Sequence, residues 1–119
     1  PAALPVDADT VSVLLGNGNG TFQAKVDYPV GDGPTSVTAG DLNGDGKVDL
    51  ATANYNADTV SVLLGNGNGT FQAKVDYPVG DGPVEVTTGD LNGDGKVDLA
   101  TANELADTVS VLLNGACTP

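Results

Sequence analysis

The sequence repeats itself with a period of 49 residues, and this repeat limits the fold more than any other feature. Residues 10–58 align with residues 59–107 without a gap and differ from them at only five positions. A third copy begins at Thr108 and includes one predicted strand. Because near-identical units must pack in the same way, the repeat predicts a solenoid or a propeller in which each unit contacts its neighbours.

Each period contains four short segments with the composition of β-strands. In the most complete copy they are residues 35–40, 48–54, 59–64 and 71–79. The fourth segment alternates apolar and polar side chains, which is typical of a half-exposed strand. Gly, Asn, Asp and Pro fill the connections, as turns require, and no helical periodicity of useful length is present. We therefore predict an all-β fold of four-stranded antiparallel β-propeller-type blades in tandem.

The predicted strands divide the chain into three parts, with two, four and three strands. Residues 1–34 form an N-terminal partial repeat that holds strands three and four of a blade. Residues 35–83 form a complete repeat, and residues 84–119 form a partial repeat that lacks its outer strand. We therefore expect about two blades and one surplus strand per chain. Propellers close with more blades than this.

Composition excludes several classes of function. The formal net charge is −12, with four basic residues and no His, which argues against binding to nucleic acid or to an anionic membrane surface. Without His, and with its one cysteine (Cys117) near the C-terminus, the chain offers no nucleophile–base pair. We expect it not to be an enzyme. No stretch resembles a signal peptide or a membrane span, so we expect no membrane insertion.

An acidic loop, Asp-Leu-Asn-Gly-Asp-Gly-Lys-Val-Asp, separates the first and second strands of each repeat at residues 41–49 and 90–98. Side chains with oxygen atoms occupy its positions 1, 3, 5 and 9, and glycine occupies position 6, where a chain that wraps an ion turns sharply. The pattern favours Ca²⁺, which accepts many flexible oxygen ligands, over Mg²⁺. The alternative is a polar hairpin without metal, in which three close carboxylates would repel one another.

These residues resemble the FG-GAP (VCBS-type) repeats of integrin α-subunit propellers, fungal lectins and bacterial surface proteins. The resemblance rests on the two acidic loops, on the Asp-Leu-Ala-Thr-Ala-Asn that follows, and on the strand Thr-Val-Ser-Val-Leu-Leu with its Gly-Asn-Gly-Asn-Gly-Thr-Phe turn. It implies a propeller blade with calcium in the loop, about two ions per chain. The ligands that it implies are Asp41, Asn43, Asp45, Lys47 (through its carbonyl) and Asp49, and in the second copy Asp90, Asn92, Asp94, Lys96 (through its carbonyl) and Asp98. The bidentate ligand of each loop is expected at Asp49 and Asp98.

The surplus strand favours self-assembly as the function. Residues 22–30 are a spare copy of the strand that the last unit lacks, so docking on a neighbour would give a homo-oligomer, either a filament or a closed propeller. We expect a calcium-stabilised structural protein that is extracellular, either secreted or at the cell surface.

The alternative is a carbohydrate-binding or adhesion propeller module of the lectin type, with glycans as partners. The one aromatic candidate for such a site in an exposed loop is Tyr55, and the equivalent residue in the next repeat is Glu104. Asn19 and Asn68 each begin an Asn-Gly-Thr sequence, which makes them candidate glycosylation sites or ordinary hairpin residues.

Overall fold

The computed structural model describes residues 9–114, and this part of the chain is built from strands and turns. The nine strands are β1 (Thr10–Val13), β2 (Val26–Pro29), β3 (Pro34–Gly40), β4 (Asp49–Asn54), β5 (Thr59–Leu63), β6 (Val75–Pro78), β7 (Pro83–Gly89), β8 (Asp98–Asn103) and β9 (Thr108–Leu112). They form three antiparallel sheets, with the orders β1-β2, β3-β4-β5-β6 and β7-β8-β9. The prediction of an all-β fold made of propeller-type antiparallel blades is confirmed. Cys117 lies outside the described residues.

The first three strands of the complete unit agree with the sequence prediction to within one residue at each end. The fourth was predicted over residues 71–79, and this is wrong: β6 covers only Val75–Pro78, and Phe71 makes an isolated bridge to Gly65. Two residues separate Val62 of β5 from Gly65, which follows this strand, whereas three separate Phe71 from Val75. This extra residue is a bulge, and it interrupts the pairing.

The bulge also changes which side chains share a face. A shift of one residue sends every later side chain to the other side of a sheet. Phe71 packs toward the first sheet, whereas Val75 pairs with Val62, which packs toward the third sheet. Val75 and Tyr77 are 52% and 42% exposed. The predicted single apolar face from Phe71 to Tyr77 is therefore divided between the two sides of the blade.

The core consists of two apolar clusters on opposite faces of the middle sheet, because neighbouring residues along β4 and β5 point to opposite sides. One cluster joins the middle sheet to the first, through Leu63 and Val11 among others. The other joins it to the third sheet and is built around Ala51, Ala53, Val60, Val86 and Leu99. The two small alanines are fully buried, which lets the sheets approach closely.

Aspartates that directly precede the third strand of a unit connect successive units. Asp9 and Asp58 adopt positive φ angles of 50° and 58°, a conformation that Asp tolerates better than most residues. The carboxylate of Asp9 accepts the N–H of Gly33 at 3.0 Å, and that of Asp58 accepts the N–H of Gly82 at 2.8 Å. The same hydrogen bond thus sets the spacing of the sheets at both junctions.

Candidate metal centre

The two acidic loops lie at equivalent ends of the second and third sheets, between β3 and β4 and between β7 and β8. Each brings three carboxylates together, with one oxygen atom from each lying within 4.8 Å of the others. These carboxylates are Asp41, Asp45 and Asp49 in the first loop and Asp90, Asp94 and Asp98 in the second. The structure therefore gathers at one point the side chains that the sequence places at positions 1, 5 and 9.

Asp41 organises its loop by accepting backbone hydrogen bonds. Its carboxylate accepts the N–H groups of Gly44 at 2.8 Å, Asp45 at 3.2 Å and Gly46 at 2.8 Å. The hydrogen bond from Gly46 is the main cause that lowers the pKa of Asp41, and the others add to it against the opposing effect of desolvation. Gly46 has a φ of 81°, which glycine adopts without strain. Asp90 repeats this arrangement in the second loop.

Asp49 joins the loop to the third strand. Its side chain is fully buried, one oxygen accepts the N–H of Leu42 at 2.8 Å, and the other accepts the N–H of Gly65 at 2.7 Å. In the second loop Asp98 accepts the N–H of Leu91 at 2.8 Å and that of Asn114 at 2.6 Å. A carboxylate oxygen has two lone pairs, so each oxygen of Asp49 keeps one for a further partner.

The other predicted ligands lie on the exposed side of the loops. Asn43 and Lys47 are both exposed, as are Asn92 and Lys96 in the second copy. The backbone N–H of Lys47 donates to the Asp45 carboxylate at 2.9 Å. The role of these four residues as ligands stays a prediction.

The donor set fits a hard divalent cation. Three carboxylates meet in each loop, the predicted ligand set adds an amide side chain and a backbone carbonyl, and Ca²⁺ binds such oxygen ligands in flexible loops. The Lys47 side chain extends toward Gly67. Between residues 9 and 114 the salt bridges are Lys25–Asp27 and Lys74–Asp76, so no lysine there neutralises the clustered carboxylates. Like charges at this spacing disfavour one another unless a cation compensates them.

The two candidate glycosylation asparagines lie in exposed turns between the third and fourth strands. The side-chain oxygen of Asn68 accepts the backbone N–H of Thr70 at 3.1 Å and its hydroxyl at 2.6 Å. Asn19 makes the same two contacts with Thr21. These bonds account for Asn and Thr at this spacing through turn structure alone, and glycosylation stays a prediction.

Tyr55 is not the exposed aromatic that the sequence suggested. It is half-buried, and its hydroxyl donates to the Glu104 carboxylate at 3.2 Å. Desolvation first, and then the hydrogen bond to Glu104, raise the pKa of Tyr55. The side chain therefore serves the contact between the second and third sheets rather than an open binding surface.

Two features beside the loops were not predicted from the sequence. A cleft of about 640 Å³ lies between the second and third sheets at the loop end, with Leu42, Val62, Tyr77 and Leu112 among its lining residues. Asn114 also lines it, and its side-chain amide donates to the carbonyls of Leu42 and Val97. The sequence does mark Asn114 as unusual, because the equivalent residues in the other copies are Gly16 and Gly65.

The fold and the loops together define a tandem-repeat protein of propeller-type blades, in which the second and third sheets each carry one acidic loop. The family model for the FG-GAP-like repeat matches residues 3–52 and again residues 41–101. The chain therefore belongs to the FG-GAP-like repeat family, and the resemblance predicted from the sequence is confirmed. Neither a curated protein nor a solved structure matches the sequence. Among the residues that the structure describes, no helix is long and apolar enough to cross a membrane.

Proposed function

We propose that this chain is a non-enzymatic, calcium-stabilised structural module that stacks blade on blade and associates with further copies of itself. The observation that carries the proposal is the third sheet. It repeats the strands of the second sheet, yet it leaves exposed the face that the second sheet buries. Exposed apolar surface of this kind marks interaction sites in soluble proteins.

The comparison is residue by residue. Val60 in β5 is fully buried against the third sheet, whereas its counterpart Val109 in β9 is 68% exposed. Ala53 is buried and its counterpart Ala102 is exposed. The face that covers Val60 is built from Val86 and Leu99, which every copy of this chain carries. Within each chain these two side chains are already buried against Val60, so the cover for Val109 has to come from another part of a second copy.

Calcium supports this role by holding the loop end of each blade together. An ion between Asp41, Asp45 and Asp49 would compensate their charges and fix the connection between β3 and β4. Two divalent ions would contribute +4, so the formal charge of the chain would change from −12 to −12 + 4 = −8. The smaller net charge would reduce the repulsion between stacked copies.

An extracellular or cell-surface location agrees with this proposal. Calcium sites of extracellular modules have dissociation constants of about 10⁻⁴–10⁻³ M. An exposed loop is sufficient for an affinity of this size. The absence of His from the sequence and the use of the clustered Asp residues in loop structure support a function without catalysis.

The test is sedimentation velocity and thermal melting of the 119-residue chain in calcium and in EDTA. We expect assemblies in calcium that disperse in EDTA, with a lower melting temperature. A double variant, Asp45→Asn with Asp94→Asn, should behave in calcium as the parent chain does in EDTA, because each loop loses an exposed ligand. A chain that stays monomeric in calcium at micromolar concentration, or that melts at the same temperature in EDTA, would overturn the proposal.

A second candidate function is carbohydrate binding in adhesion. The cleft between the second and third sheets favours it, because Tyr77 and apolar side chains such as Leu42 line a space beside both acidic loops. Aromatic and apolar walls with a few polar groups are typical of ligand sites. Screening the calcium-loaded chain on a glycan array tests this function, and the absence of any bound glycan would remove it.

A further inference from the structure

Ser110 lies on β9, and the equivalent serine in each of the other two sheets has an aspartate as its hydrogen-bond partner. In the first sheet the Ser12 hydroxyl donates to the Asp27 carboxylate across the strands at 2.7 Å. In the second sheet Ser61 donates to Asp76, also at 2.7 Å. In each pair the serine and the aspartate stand directly opposite each other in the strand register. Ser110 is the counterpart of these serines, and within residues 9–114 no strand pairs with the outer edge of β9.

The Ser110 hydroxyl is held in the same way as that of Ser61. Its oxygen accepts the side-chain N–H of Asn103 at 2.8 Å and the backbone N–H of Gly80 at 3.0 Å. The equivalent groups reach Ser61 at the same two distances. Both lone pairs of the oxygen are then in use, so the hydroxyl hydrogen is left to donate. In the second sheet that hydrogen goes to Asp76, and the described part of the chain gives Ser110 no such acceptor.

We propose that the edge of β9 binds an extended Lys-Val-Asp-Tyr-Pro strand of a second copy of this chain, with the incoming Asp accepting the Ser110 hydroxyl. This inference rests on the proposed self-association and names the contact that selects the partner. Added strands gain affinity from main-chain hydrogen bonds and specificity from side chains at alternate positions. Here the specificity comes from one serine and one aspartate.

The donor segment is β2 with the lysine before it, residues 25–29. Within residues 9–114, β2 pairs only with β1, and the Thr-Val-Ser-Val sequence of β1 is also that of the first four residues of β9. β2 therefore meets equivalent side chains on either strand, and it leaves β1 of its own chain when it pairs with β9 of another. Its own β9 is out of reach, because the first and third sheets pack on opposite faces of the middle sheet. The strand must come from another chain.

The register of the existing pairs predicts the rest of the contact. Val60 stands opposite Tyr77, and Val62 stands opposite Val75. In the same register the exposed Val109 and Val111 would meet Tyr28 and Val26 of the incoming strand. Val109 and Val111 are 68% and 53% exposed. The new strand would therefore cover part of the apolar surface that the third sheet leaves open.

Lys25 adds charge complementarity. Its ammonium group forms a salt bridge with Asp27, as Lys74 does with Asp76. The incoming segment therefore brings its carboxylate already paired with a cation. This pairing limits the repulsion expected when an aspartate approaches a chain with a net charge of −12.

A labelled peptide tests the inference directly. We would titrate the full chain, in calcium, into a fluorescent peptide with the sequence of residues 71–79, which is identical to residues 22–30, and follow anisotropy. We expect saturable binding that weakens about tenfold when the peptide aspartate is replaced by alanine, the size expected for one hydrogen bond to a charged group. Ser110→Ala should weaken binding of the first peptide by a similar factor and remove the difference between the two peptides.

Ser12→Ala is the matched control, because it makes the same change on an edge that β2 already fills, and peptide affinity should not change. Absence of binding, equal binding of both peptides, or a difference that survives Ser110→Ala would overturn the inference. Sedimentation of the unlabelled chain separates it from the proposed function. Assembly in calcium without peptide binding would overturn the edge contact alone. Aspartate-dependent binding by a chain that stays monomeric would support the edge contact and overturn the second copy as its occupant.

Discussion

The second and third sheets have nearly the same sequence and very different surroundings. In the second sheet, β5 lies between β4 and β6, and Val60 and Leu63 are fully buried. In the third sheet, β9 is an edge strand, Val109 is 68% exposed and Leu112 is half-buried. The apolar burial of a blade therefore depends on its neighbours as well as on its own sequence, which is the behaviour expected of stacked repeats.

The polar interior of the blade differs far less between the copies. Asn54 is buried, accepts the Thr52 hydroxyl at 3.0 Å and donates to Ser61 at 2.8 Å. Asn103 makes the equivalent contacts at 2.9 Å and 2.8 Å. These bonds form within one sheet, so they do not need a neighbour. Each unit thus supplies its own hydrogen bonds, whereas apolar burial requires the stack.

The few differences between the copies concentrate where the copies touch. The Thr35 hydroxyl donates to the carbonyl of Pro83 at 3.1 Å, and the Ser36 hydroxyl accepts the N–H of Val86 at 3.4 Å. Tyr55 contacts Glu104. The residues that replace Thr35 and Ser36 in the second copy are Val and Glu. The variation therefore adjusts the junction between two sheets while the blade itself stays constant.

The largest effect should come from removing the buried acceptors. In EDTA, Asp49→Asn should lower the free energy of unfolding by about 3 kcal/mol, because the amide can accept only one of the two backbone N–H groups and the other stays buried without a partner. Asp98→Asn should cost less, since Asn114, one of its donors, lies at the open end of the third sheet. Urea unfolding measures both losses. Asp45→Asn is the control, and its exposed side chain should change the stability little in EDTA. Equal losses at positions 49 and 98 would show that both ends are equally shielded from water.

The sequence predicted the parts of this site that are local. The spacing of Asp41, Asp45 and Asp49 and the glycine at position 46 determine a loop that closes on itself, so the clustering of carboxylates follows from nine residues. The second backbone donor to Asp49, Gly65, comes from the end of another strand. Nothing in the local pattern could indicate that contact, because it depends on strand pairing.

The same division holds for the strands. β4 and β5 follow their apolar and β-branched composition closely. β6 does not follow its alternation, because a bulge between Phe71 and Val75 depends on how the preceding turn is bonded: Asn66 and Thr70 close the turn, and the N–H of Gln72 donates to Leu64. A strict period of two along residues 71–79 cannot reveal an extra residue in the pairing.

A pair of valines would sharpen the comparison between the sheets. Val60→Ala should lower the free energy of unfolding by about 2 kcal/mol, through lost apolar burial and the cavity left behind. Val109→Ala should change it by less than about 0.5 kcal/mol, as expected for an exposed side chain. The two substitutions are chemically identical and lie at equivalent positions. Denaturation should be repeated over a range of protein concentration, because a cost at Val109 that grows with concentration would show that another copy covers this face.

Asn114 offers a smaller effect at the junction. Asn114→Gly restores the residue of the other copies and removes the hydrogen bonds from its side chain to the carbonyls of Leu42 and Val97. We expect a loss of about 1 kcal/mol in the free energy of unfolding, measured by urea denaturation. The reciprocal variant, Gly65→Asn, should not stabilise the chain, because a Cβ atom there would lie 2.0 Å from the carbonyl oxygen of Val48. A stability gain in Gly65→Asn would mean that the two strand ends are interchangeable.

The smallest effect is expected for Asp76 in the outer strand β6, whose contribution to stability depends on pH. Desolvation raises the pKa of Asp76, yet hydrogen bonds from Lys74 and Ser61 outweigh this effect and hold the pKa below its ordinary value of 3.8. A group with a lowered pKa in the folded state stabilises the fold above its unfolded pKa, and this stabilisation is lost as the pH falls through the folded value.

Asp76→Asn should therefore cost about 0.5 kcal/mol at pH 6, the size expected for an exposed pair. This cost should shrink as the pH falls below 3.8 and vanish once the pH has passed below the folded pKa. Thermal melting of both proteins from pH 6 to acid measures the difference. Ser110→Ala provides the contrast, because no aspartate of residues 9–114 stands opposite this serine in a strand pair. In a dispersed chain its cost should not depend on pH over the same range. If the cost of Ser110→Ala falls in acid as that of Asp76→Asn does, a carboxylate already faces Ser110 in solution, and the edge of β9 is filled.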